Sequence, residues 1–286
     1  MFSIIDELHK NVMKKGPVCV GLDPRESMFP DYIKTKDMSM GEKIFEFNKK
    51  IIDAVAEETA CFKLQIACYE AFGLDGLTAY ANTAAYLNSK AALSIGDIKR
   101  GDISSTAEMY AKGHFEGDFE VDFITLNPYM GEDAVSPYYK YLKTAGKGAF
   151  VLIRTSNQSS KDIQELKCHG EDVFYKTAQL VQQWGEAFKG ECGFSSLGGV
   201  VGLTYPAEFK RIKAKYPGIF YLIPGYGAQG GTGKDAAEIL GEEMCGIINS
   251  SRSIIGAHKG INETESFAEC ANKAVIQMKE DILKWL

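Results

Sequence analysis

Within SIGDIKRGDIS, residues Ser94 to Ser104, Asp97 and Lys99 stand two positions apart and Asp102 follows three positions later. Residues i and i+2 of a strand share a face, so the Asp97 carboxylate and the Lys99 ammonium should project together from a strand end. One reading is a solvated rim with a local ion pair; the other is a set of fixed charges in a site. Lys63 bears on the choice, because it interrupts the apolar run CFKLQI. An unpaired ammonium there would cost several kcal/mol, so it requires an anionic partner, which Asp97 or Asp102 would supply. With Asp23 at the end of VCVGLD, the residues Asp23, Lys63, Asp97, Lys99 and Asp102 form an alternating charge array from three successive segments. That pattern is favoured over a lone snorkelling lysine at a sheet edge. Arg100 should point to the opposite face and serve structure.

A second candidate region is IPGYGAQGGTGKDAAEI, where Gly225, Gly227 and Gly230 fit G-x-G-x-x-G. A dinucleotide site is disfavoured, since the next apolar run ends in Asn249, Ser250, Ser251 and Arg252 and offers no acidic residue for a ribose. A Walker sequence also fails, because position 228 is Ala and Lys234 precedes Asp235. A glycine turn (Gly227, Gly230) with Arg252 on the following strand suits an anion held by backbone N–H groups and a guanidinium fork. The alternative is a flexible turn beside a surface arginine. Gln229 could offer both a donor and an acceptor to a ligand amide. Thr155 and Ser156, in IRTSNQSS, suit either the edge of a heterocycle or Asx/ST-turn chemistry, and Asn127 carries the same ambiguity. The histidines, His9, His114, His169 and His258, have no metal-ligand spacing, and no Ser-His-Asp arrangement emerges.

These residues need elements to hold them. Near-continuous apolar runs recur at 18–23, 61–66, 92–99, 122–127, 149–155, 199–204, 219–225 and 245–251, as in parallel strands buried on both faces. Amphipathic segments such as KIFEFNKKIIDAVAEE, LTAYANTAAYLNSK, DVFYKTAQLVQQWGEAF and PAEFKRIKAKY alternate with them, and TESFAECANKAVIQMKEDILKWL follows the last. Eight strand-then-helix units predict an α/β chain folded as one (β/α)8 TIM barrel, with residues 1–286 as a single domain. The long connections Pro24 to Lys43 and Ser156 to Gly170 leave the C-terminal strand ends, the face on which barrels carry chemistry.

The net charge of −6, with no block of like charges, makes nucleic acid and anionic membranes poor partners. No apolar run reaches membrane-spanning length, and the first residues lack the apolar core of a secretory signal. Seven cysteines without C-x-x-C spacing predict buried free thiols in a reducing, cytoplasmic setting.

As a set, GLDPR, FKLQIACYEAFG, DIKRGDI, LNPYMG, RTSN, PGYGAQGG and SSRSI resemble the orotidine 5′-phosphate decarboxylases, in the longer-chain subgroup of that family, from about Val18 to Ile255. The resemblance implies decarboxylation of orotidine 5′-monophosphate to uridine 5′-monophosphate, the last step of de novo pyrimidine synthesis, with no cofactor and no metal. It assigns Lys63, Asp97, Lys99 and Asp102 to the family's charge network, with Asp102 donated across a homodimer interface. Asp23 would hold ribose hydroxyls with Lys63, Ser156 would read the pyrimidine with Thr155 beside it, and Gln229 and Arg252 would contact phosphate. Thr106 would approach the phosphate from the partner chain. Lys99 would then be the cation, and the proton donor to C6, that an in-plane carbanion requires. Metal-dependent phosphosugar decarboxylases or synthases of the same barrel share D-x-K-x-x-D but use an acidic residue where this chain has Lys63. A Schiff-base aldolase working through Lys63 or Lys99 and a non-catalytic nucleotide-binding barrel also stay open.

Overall fold

The computed structural model describes residues 3–227 and 230–286. Eight parallel strands close a barrel: β1 Val18–Leu22, β2 Cys61–Gln65, β3 Ser94–Arg100, β4 Phe123–Leu126, β5 Gly148–Arg154, β6 Leu197–Val201, β7 Tyr221–Pro224 and β8 Gly246–Ser250. Each strand pairs with its neighbours in sequence, and β1 pairs with β8 to complete the (β/α)8 ring. Every apolar run identified in the sequence becomes one strand, with ends displaced by a few residues.

Registers carry one face of each strand around the barrel. Lys63 lies beside Ile95, Ile95 beside Phe123 and Phe123 beside Gly148. Two residues further up, Gln65 lies beside Asp97, while Thr125 lies beside Phe150 and Phe150 beside Gly198. The side-chain period of two thus stacks inward layers, with Lys63, Gln65, Asp97 and Thr125 gathered on β2 to β4 and the Phe123 and Phe150 rings filling the barrel beside them. Phe123 and Phe150 stack with centroids 5.4 Å apart. Their rings fit because a Cβ at Gly148 would lie 2.3 Å from Phe123 and one at Gly198 would lie 2.9 Å from Phe150.

Helix Met40–Val55 starts at a capping box: Ser39 Oγ accepts from the Glu42 amide at 3.2 Å, and Glu42 Oε2 accepts from the Ser39 amide at 2.7 Å. It buries Ile44, Phe47, Ile51, Ile52 and Val55 against helices Gly73–Ser89 and Ala268–Leu283. At the N-terminal strand ends, helix Ile4–Lys15 buries Ile5, Leu8 and Val12, while Asp6 accepts from the amides of Glu191 and Cys192.

The connection at 24–43 folds as a 3-10 turn, Glu26–Met28, and a short helix, Asp31–Lys34, burying Met28, Phe29 and Ile33. The connection after β5 carries helix Lys161–Gln164 and an antiparallel ribbon, Lys167–Cys168 with Glu171–Asp172, which apolar periodicity did not signal. All seven thiols are free, but only Cys19, Cys61 and Cys245 are buried. The expectation of buried thiols therefore needs correcting: Cys168 is exposed because the ribbon stands outside the barrel. Among the described residues no helix is long and apolar enough to cross a membrane.

Candidate functional site

β3 and β4 lose register near their C-terminal ends. Gly96 lies beside Ile124, but the next pair is Arg100 with Leu126, so β3 carries extra residues there. Lys99 takes up the excess at φ +45°, a left-handed conformation that costs a non-glycine residue about 1–2 kcal/mol. Thr125 compensates: its Oγ1 accepts from the amides of Ile98 (3.0 Å) and Lys99 (2.9 Å) and donates to Asp97 Oδ1 (3.0 Å). The sequence rule of i and i+2 brings Asp97 and Lys99 together, yet the simple pleat behind that rule is broken between them.

Asp97 is the hub. Its Oδ1 receives Lys99 Nζ at 2.5 Å, and its Oδ2 receives Lys63 Nζ at 3.2 Å and Gln65 Nε2 at 2.9 Å. Lys63 Nζ also lies 3.4 Å from Asp23 Oδ1. The side chains of Lys63 and Asp97 retain 5% and 10% of their exposure, against 46% for Lys99. Two members are therefore embedded and the third ammonium faces the opening. Burial works against the Asp97 carboxylate, but Lys63 and Lys99 outweigh it and hold its pKa at about 2. Burial likewise opposes the Lys63 charge, and Asp23 and Asp97 push its pKa well above the usual lysine range.

These groups line a cavity of about 440 Å³ at the C-terminal end of the barrel, together with Thr155, Ser156, Asn157, Leu152, Val200, Leu222 and Asn249. Gln65, Thr125 and Asn249 were not singled out in the sequence, where Gln65 and Thr125 each sit inside an apolar run and Asn249 opens the polar end of another. Gln65 was findable, since it lies two positions beyond Lys63 on the same strand face. A second cavity of about 260 Å³ shares Asp23, Gln65, Pro224 and Asn249 with the first and adds Arg25, Arg252, Ser251 and Ser253. Two guanidinium groups beside short hydroxyls favour an anion there.

Other expected residues stand elsewhere. Gly227 (φ +68°) and Gly230 (φ +91°) need glycine for their conformation, but their amides donate inside the turn, to Gly231 O and Gly227 O, both at 2.9 Å. Neither glycine is among the residues that line the two cavities. Gln229 lies outside the described residues. Asn127 accepts from the Tyr129 amide in an Asx turn and does not line the cavity. Asp102 is half-buried and accepts from the Ile103 amide at 2.8 Å, so it does not partner Lys63, as one sequence option had it. Thr106 is exposed on helix Ser104–Phe115. Arg100 turns away from the site, toward Glu70 (3.6 Å) and the Tyr110 ring (5.0 Å), as expected.

The sequence profile described as the orotidine 5′-phosphate decarboxylase / HUMPS family matches residues 16–267. A Clostridium tetani protein named orotidine 5′-phosphate decarboxylase is 50% identical over 282 residues, covering 98% of each chain. A Petrotoga mobilis protein of the same name is 51% identical over 282 residues, again with 98% coverage of each. Among solved structures, a putative orotidine 5′-phosphate decarboxylase from Streptomyces avermitilis superposes with a TM-score of 0.82 at 27% identity, covering 100% of this chain and 96% of the other. An OMP decarboxylase from Leishmania donovani gives 0.78 at 26% identity, covering 99% and 98%.

Proposed function

The chain belongs to the orotidine 5′-phosphate decarboxylase / HUMPS family and catalyses the decarboxylation of orotidine 5′-monophosphate in pyrimidine biosynthesis, and we propose that it does so with Lys63, Asp97 and Lys99 of one protomer and Asp102 of a second. The observation that carries this assignment is the embedded Lys63–Asp97–Lys99 row with its one exposed ammonium at the cavity wall.

Breaking the C6–carboxylate bond releases CO2 and leaves the electron pair in the plane of the pyrimidine, where the ring's π system cannot spread it. A fixed cation beside C6 stabilises that pair, and in a site of low dielectric its effect far exceeds what it would be in water. Lys99 supplies this cation, then transfers a proton to C6 to give uridine 5′-monophosphate, and regains a proton from water. Asp97 faces the substrate carboxylate, so like charges are forced together until CO2 departs. Lys63 anchors Asp97 and, with Asp23, receives the ribose hydroxyls. Ser156 meets the pyrimidine edge with Thr155 beside it, and Arg252 and Gln229 hold the phosphate. Phosphate contacts lie away from the reacting bond, yet their binding energy can be spent on aligning it. The reading is cofactor-free: the Lys63 ammonium already bridges the Asp23 and Asp97 carboxylates that a divalent cation would need.

The homodimer is supported by the exposed apolar side chains Ile103, Met109, Tyr110, Tyr129 and Met130, on helix Ser104–Phe115 and its neighbouring loop. Ile103, Met109 and Tyr110 stand on the same segment as Asp102 and Thr106, residues that line neither cavity of the single protomer. The whole chain is taken as one working domain, and the free thiols fit a cytoplasmic protein. Mixing two inactive variants, Lys99→Ala and Asp102→Asn, tests the shared site. Random pairing rebuilds one intact site in each mixed dimer, so roughly a quarter of wild-type activity should return. No recovery, after subunit exchange is demonstrated, would refute the sharing.

A further inference from the structure

β5 ends in Arg154, a charged side chain with no exposed surface. Its Nε donates to Glu208 Oε2 at 2.9 Å, Nη1 to Ser160 Oγ at 2.8 Å and Nη2 to Glu165 Oε1 at 2.5 Å. The guanidinium carbon also lies 4.1 Å from the centre of the Tyr205 ring. Glu208 belongs to helix Pro206–Lys215, which follows β6, whereas Ser160 and Glu165 belong to the segment that follows β5. One planar fork therefore ties that segment to the next barrel unit, a task lysine's point charge cannot reproduce. Gln164 grips the start of the same segment: its Oε1 accepts from the Thr155 amide at 3.0 Å, and its Nε2 donates to Thr155 Oγ1 at 2.8 Å. Thr155 Oγ1 passes the chain on to Asn157 Oδ1 at 2.7 Å. On the third side Gly202 leaves room for the backbone, since a Cβ there would stand 2.9 Å from Ser156 Cβ.

Stability alone does not call for this arrangement. A buried charge network is often matched or exceeded by apolar packing of similar volume, so its yield is better sought in geometry. Next in sequence to Arg154, Thr155 is held by Gln164 and bonds on to Asn157, Ser156 lies between them against Gly202, and all three line the cavity beside Lys99.

We propose that Arg154 and Gln164 are positioning residues that hold the Thr155–Ser156–Asn157 edge in register for the base of the ligand, contributing to base recognition without touching substrate. The proposal rests on the reading that this edge meets the pyrimidine. It is tested with Gln164→Leu, Arg154→Lys and Ser156→Ala, by titrating uridine 5′-monophosphate and ribose 5-phosphate, which has the sugar and phosphate but no base.

Gln164→Leu and Arg154→Lys should each weaken uridine 5′-monophosphate about tenfold, the value of roughly one hydrogen bond, and shift ribose 5-phosphate by less than about twofold. KM for orotidine 5′-monophosphate should rise with kcat held, as for binding shared by ground and transition states. Equal weakening of both ligands, or of neither, in the two clamp variants overturns the proposal. Gln164 is half-buried on the surface segment, so its variant remains informative if Arg154→Lys does not fold. Selective loss in Ser156→Ala without loss in Gln164→Leu overturns the clamp and keeps the base-reading edge. Selective loss in Gln164→Leu without loss in Ser156→Ala supports the clamp and moves the base contact to Thr155 or Asn157. No selective loss in any variant removes both.

Discussion

Asp97→Asn separates the charge network from ordinary packing, because the amide is nearly isosteric with the carboxylate but leaves Lys63 with Asp23 alone at 3.4 Å. Removing one partner of a buried ion pair costs about 3–5 kcal/mol, and the surviving Asp23 contact places the expected loss near about 3 kcal/mol at pH 7. Part of that loss must depend on pH. The Asp97 carboxyl sits at about 2 in the folded protein against an ordinary 3.8. At about 1.4 kcal/mol per pH unit, this corresponds to about 2 kcal/mol of folding stability. A carboxyl lowered on folding contributes fully above its unfolded value and loses that contribution as pH falls through its folded value. The stability gap between wild type and Asp97→Asn, from urea melts, should therefore be constant from pH 7 to pH 5. It should narrow by about 1 kcal/mol at pH 3. Taking the difference cancels the titrating groups remote from Asp97, which both proteins share in the same surroundings. A gap that stays flat down to pH 3, or widens, would refute the charge-coupled picture of Asp97.

Thr125→Val should destabilise by about 1–3 kcal/mol in urea melts, since it strips the acceptor from the buried Ile98 amide and the Lys99 amide, and it should lower kcat by loosening Lys99. Retention of full kcat would show that the strained turn does not position the ammonium. Gly148→Val should prevent folding or lower Tm sharply, because a Cβ there meets Phe123 at 2.3 Å; the companion Phe123→Ala should relieve part of the loss. Phosphate affinity should fall more for Arg252→Ala than for Lys234→Ala, measured with ribose 5-phosphate, because Arg252 lines the anion cavity and Lys234 does not.

The barrel was legible because its strands are buried on both faces, which makes each a compact apolar run, and Lys63 betrayed the site by interrupting one of them. Asp97 and Lys99 were legible by spacing, but the turn that joins them was not. It depends on Thr125, a residue of the adjacent strand whose hydroxyl meets the Ile98 and Lys99 amides only after the sheet has closed. Asn249 shares that history, since its inward direction follows from register and register is a property of pairs of strands, whereas Gln65 could be read from its spacing to Lys63. The glycine turn was legible in part, since sequence reveals the need for positive φ at Gly227 and Gly230 but not that their amides bond within the turn. Asp102 lies beyond what one chain can explain, because its proposed partner groups belong to a second copy.

The most direct measurement follows the absorbance of orotidine 5′-monophosphate with the purified protein, with and without EDTA, beside Lys99→Ala. Wild type should consume the substrate at a rate unchanged by the chelator, while Lys99→Ala loses activity by at least about 10³-fold with its fold intact. Equal rates for wild type and Lys99→Ala, or wild-type turnover abolished by EDTA, would contradict the account.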